Sequence, residues 1–331
     1  MPTAAPVSTR PDSTRALWYV GPGRIELRTE PVGAPGPDQV LVRTLYSGVS
    51  RGTERLVATG QIGESEWQRM RCPLQAGAFP FPVKYGYCAT GIVEAGPAAL
   101  RGRTVFVLHP HQERFLAPAA MAVTVPDQVP ARRAVLAANM ETALNALWDS
   151  GAAPADRIVV VGGGVLGLLV GTLAAQLPGA DVTLVDVASE RRELARALGM
   201  AFADPVTAPS EADVVFHTSA TSKGLDTAIA AAGLEGTIVE LSWFGSAATS
   251  VHLGGAFHSK RLKLLASQVG QVSDRRRARW SYRRRMEAAL ALLTDPRLDV
   301  LLDTEIAFND TPATLPGLLA AAHGLAPVIR Y

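Results

Sequence analysis

A chain of 331 residues is long enough for about two domains at ~150 residues each. Hydrophobic residues at 48% against 19% charged exclude a disordered chain. The 32 Lys+Arg set against 30 Asp+Glu leave +2, too balanced for a protein that neutralises nucleic-acid phosphates or coats an anionic membrane. Two cysteines, Cys72 and Cys88, are too few for a disulfide framework or a four-thiolate metal site, and they fit a reducing cytoplasm.

Residues 1–12 carry Pro, Ala, Ser and Thr without an apolar stretch, which predicts a loose tail and no secretion signal. Short β-branched runs at 16–20, 39–45, 91–95, 104–108 and 122–125, separated by Pro and Gly, predict a β-rich, barrel-like first domain. From residue 131 the texture changes. A helix is predicted over 131–149, and then strands at 157–161, 181–185, 213–218, 236–242 and 262–268 alternate with helices at 165–177 and 189–198. That alternation is the pattern of a doubly wound parallel sheet. One long helix is predicted over 275–293, and short strands and a helix follow from 299. The apolar stretch 158–177 is broken by Gly162, Gly163, Gly164, Gly167 and Gly171, so it reads as a strand and a buried helix; no membrane span is expected.

The strongest local signal is Arg157-Ile-Val-Val-Val-Gly162-Gly-Gly164-Val165-Leu166-Gly167, a G-x-G-x-x-G that follows an apolar strand and opens an apolar helix. Gly162 permits the tight turn, Gly164 lets backbone approach a pyrophosphate, and Gly167 lets helix and strand pack closely. The N–H groups of the helix start, at Val165 and Leu166, then face the phosphates. Asp186 closes the next strand, placed to accept from a ribose 2′-OH and to repel a 2′-phosphate. The cofactor is therefore expected to be NAD, with NADP open because Arg191 and Arg192 lie close by.

This order of parts resembles the medium-chain dehydrogenase/reductase superfamily, from about residue 16 to residue 331. Two further segments carry the resemblance. Ser47-Gly-Val-Ser50-Arg-Gly-Thr53-Glu54 resembles the family's Gly-x-Cys-x-Thr/Ser-Asp segment, and Gly86-Tyr87-Cys88-Ala-Thr-Gly91-Ile-Val resembles its Gly-His-Glu-x-x-Gly-x-Val segment. The resemblance implies an α/β fold, a GroES-like β-rich catalytic domain plus a doubly wound Rossmann dinucleotide-binding domain, divided as 1–133 with 273–331 and 134–272. In the zinc alcohol dehydrogenases the two segments supply a Cys and a His ligand, whereas this chain has Ser50 and Tyr87. The third ligand falls near Ala138, and no cysteine lies between Val93 and His109 for a structural-zinc lobe. No metal is expected, although Cys88, His109, His111, Glu54 and Glu141 leave an unfamiliar site open. The chain looks most like a zinc-free branch that includes the bacteriochlorophyllide dehydrogenases.

The reading that follows is zinc-independent hydride transfer between a nicotinamide cofactor and a secondary alcohol or ketone. An enoyl- or quinone-type reductase and a non-catalytic nucleotide-binding protein are the alternatives. Tyr87, in place of a zinc-binding His, is the expected proton-transfer group, with Lys84 favouring its phenolate. Ser50 or Thr53 orients the substrate oxygen, and His109 or His111 passes the proton outward unless the two line a polar loop. On the cofactor side, Thr218 is an expected cofactor contact, and Ser242 with Ser267 and Gln268 resembles the backbone that holds a nicotinamide carboxamide in related folds, with ordinary strand-end packing as the competing explanation; His217 reads as structural or near a ribose. The arginines from Arg275 to Arg285 either recruit an anionic group or form the solvated face of a helix. The expected partner is a small molecule, anionic or bulky, with no nucleic acid and no membrane. The expected assembly is a cytoplasmic homodimer.

Overall fold

The computed structural model describes residues 13–321 and 323–331; the tail predicted over residues 1–12 lies outside the described residues. The first part runs β1 (Ser13–Gly21), β2 (Arg24–Pro31), β3 (Gln39–Gly48), α1 (Arg51–Thr59), β4 (Ala76–Gly77), β5 (Val83–Lys84), β6 (Ala89–Ala95), β7 (Thr104–Val107), β8 (Arg114–Pro118) and β9 (Val123–Thr124). Then follow α2 (Ala131–Ala134), α3 (Ala137–Ser150), β10 (Arg157–Val161), α4 (Val165–Ala174), β11 (Asp181–Val185), α5 (Arg191–Ala197), β12 (Ala201–Ala203), β13 (Ala212–His217), α6 (Ser222–Ala231), β14 (Ala232–Glu240) and β15 (Lys263–Ala266). The last elements are α7 (Tyr282–Leu292), β16 (Thr304–Ala307), α8 (Thr311–Ala320) and β17 (Pro327–Arg330).

The middle of the chain forms one six-stranded sheet in the order β12-β11-β10-β13-β14-β15, every pairing parallel. The order reverses between β10 and β13. A central parallel strand is covered on both faces, which is why β10 is the unbroken run Arg-Ile-Val-Val-Val and is buried from Ile158 to Val161. Helix α4 is buried along nearly its whole length for the same reason.

The remaining strands form two sheets. One has the order β16-β17-β3-β6-β7-β9, with β8 also paired to β3, and the other runs β2-β1-β5-β4. Strand β17 lies parallel to β16 and antiparallel to β3, so residues 327–330 complete a sheet begun by residues 39–48. A single apolar core runs from Cys88 and Phe106 through α3 to α4 and α7, joining the two kinds of sheet.

Three expectations change. The helix over 131–149 is two helices, because Leu136 N–H bonds back only three residues, to Arg133, and tightens the chain there. The helix over 275–293 begins only at Tyr282, capped by the Ser281 hydroxyl, while Arg275 to Arg279 lie in turns closed on the Ser273 and Arg276 carbonyls. Strand β2 and helix α1 were not expected. No helix among the described residues is long and apolar enough to cross a membrane.

Candidate active site

The glycine loop leaves β10 through Gly162, whose φ of +112° is disfavoured for any residue with a side chain. A Cβ on Gly167 would lie 1.9 Å from the Gly162 carbonyl oxygen, so α4 packs against the loop only because that atom is missing. At Gly164, by contrast, a Cβ would meet no atom within 4 Å, so the start of α4 faces open space. No acidic side chain lies in its first turn and no side chain caps it, which leaves the N–H groups at Val165 and Leu166 unpaired. An open cradle edged by helix N–H groups fits a dinucleotide pyrophosphate.

Asp186 stands beside it. One carboxylate oxygen accepts from Gly163 N–H at 2.5 Å and the other from Ala188 N–H at 2.8 Å, so the carboxylate is held rigidly at the strand end. Arg191 donates to the Gly324 carbonyl at 3.4 Å, and Arg192 lies over the Phe202 ring at 4.6 Å. The Arg51 guanidinium donates to the same Gly324 carbonyl at 2.5 Å; burial, with Arg55 and Arg191 nearby, lowers its pKa. Arg51 and Arg191 thus make an electropositive corner that the sequence reading missed, because residues 140 positions apart in the chain meet only through the C-terminal segment.

The other predicted cofactor residues hold loops. The Thr218 hydroxyl donates to the Gly162 carbonyl at 2.8 Å, which pins the glycine turn. The Ser242 hydroxyl accepts from Ala220 N–H at 3.0 Å, the Ser267 hydroxyl donates to Asp149 at 2.6 Å, and the Gln268 side chain accepts from Gly270 N–H at 2.6 Å. Between them sits His217, fully buried, with Nδ1 2.7 Å from Glu240 and Nε2 2.7 Å from the Ser219 hydroxyl.

On the barrel side, α1 begins at the Ser50 segment and carries Thr53, while Tyr87 lies just before β6. The Tyr87 hydroxyl donates to Thr53 Oγ1 at 3.3 Å. Burial, and then the neighbouring Cys88, push the phenol well above its ordinary value, and hydrogen bonds with Ser50 and Thr53 offset part of that. The structure therefore brings Ser50, Thr53 and Tyr87 together, with the phenol protonated.

Lys84 is elsewhere, contrary to expectation: its ammonium donates to Glu30 at 2.6 Å and Gln112 at 3.0 Å, so it does not serve Tyr87. His109 is also removed from proton traffic. Its ring stacks on Phe115 at 3.7 Å, and burial lowers its pKa to about 3. His111 is enclosed, with Nδ1 2.7 Å from the Ser47 hydroxyl and Nε2 2.9 Å from Glu54. The Ser47 hydroxyl continues to the partly buried Tyr331 and the Glu54 carboxylate to the buried Tyr19, and Ser47, His111 and Glu54 are themselves fully buried.

The residues at the three ligand positions do not fit zinc. Ser50 offers a neutral hydroxyl, Tyr87 a protonated phenol and Ala138 a methyl group, and Cys88 is a thiol whose ionisation burial opposes. No group of three or more His, Cys, Asp or Glu among the described residues is placed to hold a metal ion.

No family model matches the chain. Over 217 residues it is 30% identical to the 2-desacetyl-2-hydroxyethyl bacteriochlorophyllide A dehydrogenase of Cereibacter sphaeroides, an alignment of 59% of this chain that spans 62% of that relative's length. It is 25% identical over 307 residues to D-guloside 3-dehydrogenase of Escherichia coli, covering 83% of this chain and 87% of that one. A solved alcohol dehydrogenase of Escherichia coli complexed with NADH superposes with a TM-score of 0.77 at 15% identity, over 97% of this chain and 100% of that one. The relatives and structural neighbours are alcohol-dehydrogenase-type proteins, and the fold is theirs: a GroES-like part and a Rossmann part.

Proposed function

We propose that the chain is a zinc-independent, NAD-dependent dehydrogenase that oxidises a secondary alcohol, or reduces the corresponding ketone, in the cleft between a catalytic domain (residues 1–133 and 273–331) and a dinucleotide-binding domain (134–272). What supports this is the open Gly164 cradle with Asp186 in the parallel-sheet half, together with the cluster of Ser50, Thr53 and Tyr87 in the other half, in which Ser50 and Tyr87 stand at two of the positions that the resemblance gives to metal ligands. The bound nicotinamide ring supplies the hydride acceptor. Asp186 takes the adenosine ribose hydroxyls, and Arg51 and Arg191 offer positive charge beside the pyrophosphate cradle. Tyr87, protonated at neutral pH, acts as a hydrogen-bond donor to the substrate oxygen, and Thr53 and Ser50 fix its direction.

The relatives are dehydrogenases of a hydroxyethyl bacteriochlorophyllide and of a D-guloside, which supports a secondary hydroxyl on a bulky small molecule as substrate class. Strand β15 closes the Rossmann sheet with an open edge on which Leu264 and Leu265 are exposed, a surface suited to a second copy in a homodimer. Two buried free thiols, Cys72 and Cys88, agree with the cytoplasm.

The test is a calorimetric titration with NAD+ and NADP+, followed by NADH appearance at saturating NAD+ against secondary alcohols that include large-ring alcohols and glycosides, with zinc content measured on the same sample. Metal-free turnover of a secondary alcohol supports the reading. Failure to bind either dinucleotide, or turnover that appears only on adding zinc, overturns it.

A further inference from the structure

The described residues contain two Ser-His-Glu chains. Ser47, His111 and Glu54 form the first, all three fully buried, and it runs on to Tyr331 and Tyr19. Ser219, His217 and Glu240 form the second, at the carboxyl ends of β13 and β14, and it opens outward: His217 is fully buried, while Ser219 is half-buried and precedes the exposed Ala220.

Its hydrogen bonds have one consistent direction. The Glu240 carboxylate accepts from Ser242 N–H at 2.8 Å on one oxygen and faces His217 Nδ1 with the other, so Nδ1 must carry the proton. In the neutral imidazole His217 Nε2 is then an acceptor, and the Ser219 hydroxyl, 2.7 Å away, donates to it. The Thr221 hydroxyl accepts from Gly224 N–H, which turns its own proton toward Ser219 at 3.1 Å. Ser219 is left with one lone pair, and it can only accept.

Location says what fills that lone pair. In a doubly wound sheet the dinucleotide lies across the carboxyl ends where the strand order reverses. With the glycine loop after β10 and Asp186 after β11 taking the pyrophosphate and the adenosine ribose, the second riboside falls over β13, β14 and β15. Ser219 adjoins the loop itself, since a Cβ on Gly162 would lie 2.8 Å from the Ser219 backbone nitrogen. On the barrel side the phenol, the thiol and His109 are all poor proton acceptors near neutral pH, and His111 is sealed.

We propose that Ser219, His217 and Glu240 form a proton-accepting relay that serves the nicotinamide-riboside half of the cleft, with Ser219 as the contact residue and His217 and Glu240 as positioning residues. A hydroxyl in that half donates to Ser219. When that hydroxyl gives up its proton, Ser219 takes it and passes its own to His217 Nε2, and the imidazolium formed is paired with Glu240; the donor oxygen loses one proton, Ser219 Oγ gains one and releases one, and Nε2 gains one, with no change of oxidation state.

The relay rests on the dinucleotide reading, and one experiment separates the two. Protein labelled with 15N-histidine is titrated with NAD+, with ADP-ribose, which keeps the second ribose, and with ADP, which lacks it; calorimetry records occupancy. His217 in the free protein is expected as the Nδ1–H tautomer. NAD+ and ADP-ribose are expected to move its Nε2 resonance and ADP to leave it unmoved. In Ser219→Ala the dinucleotide still binds, weakened by no more than about tenfold for one lost hydrogen bond, and the response disappears. An Nε2–H tautomer, a response to ADP, a saturated NAD+ complex in which His217 does not move, or a response that survives Ser219→Ala overturns the relay and leaves the dinucleotide reading intact. Absence of binding by NAD+ and ADP overturns both.

Discussion

Arg285 and Glu141 face each other at 3.0 Å, and neither side chain reaches water to any useful extent, with 2% and 7% of their surface exposed. The rest of the guanidinium donates to Asn145 and to the carbonyls of Val269 and Gln271, so this one arginine ties α3 to the loop that follows β15. Burial raises the Glu141 pKa and Arg285 pulls it back.

Removing half of such a pair strands a charge in the core. Arg285→Ala is expected to lower the unfolding free energy by about 3–5 kcal/mol in denaturant titrations. Arg279→Ala, a residue of the same run that lies in an exposed turn, is expected to change it by less than about 0.5 kcal/mol. Equal losses would show that Arg285 is not the anchor.

Asp186 sets the dinucleotide preference. The wild type is expected to bind NAD+ more tightly than NADP+, and Asp186→Ala to weaken NAD+ by roughly ten- to a hundredfold, the worth of hydrogen bonds to a carboxylate, while NADP+ is unchanged or improved. Calorimetry that finds NADP+ the tighter ligand of the wild type would make Arg191 or Arg192 the controlling residue.

Tyr87→Phe keeps the ring and removes only the hydroxyl. With a substrate in hand, kcat is expected to fall about 10²-fold or more, with little effect on the melting temperature, as for loss of a single donor to the reacting oxygen. Near-normal turnover would reduce Tyr87 to a filler of volume.

His109 gives an acid-sensitivity test. Its ordinary pKa of 6.5 falls to about 3 in the fold, so between those values the unfolded chain binds a proton that the native protein refuses. Stability is therefore lost as pH falls below about 6.5, at roughly 1.4 kcal/mol per pH unit until about pH 3. His109→Phe preserves the stack on Phe115 and should flatten that slope, worth about 2 kcal/mol between pH 6.5 and 5. Parallel pH profiles for the two proteins would refute the assignment.

Much of the dinucleotide half is legible in the sequence because its strands are buried on both faces and its loop turns at Gly162 and packs at Gly167, where a side chain is excluded. The strand 181–185 coincides with β11. Strand β2, Arg-Ile-Glu-Leu-Arg-Thr-Glu-Pro, escapes notice because it is mostly solvent-facing and is fixed by its antiparallel partner β1. Composition cannot separate Arg285 from its neighbours in the arginine run; what differs is Glu141, supplied by a helix 144 positions away. The relay at His217 is hidden for a similar reason, since Glu240 arrives on the next strand. Two neighbours of Arg285 have local partners instead: Arg284 lies over Trp280 at 4.0 Å and Arg283 pairs with Glu287 at 2.6 Å.

Strand β17 seats itself against residues 46–48 of β3, and its neighbour Tyr331 bonds to Ser47 across a sequence separation of 284. At about 5–20 residues per second of synthesis, that edge of β3 waits roughly 15 to 60 seconds for its partner after leaving the ribosome. The Rossmann sheet, whose strands all lie between residues 157 and 266, is translated complete within that interval. The nascent chain therefore acquires its nucleotide half first and carries an unfinished barrel through most of its synthesis, so a ribosome stall after residue 266 would strand a chain with a closed parallel sheet beside an exposed strand edge.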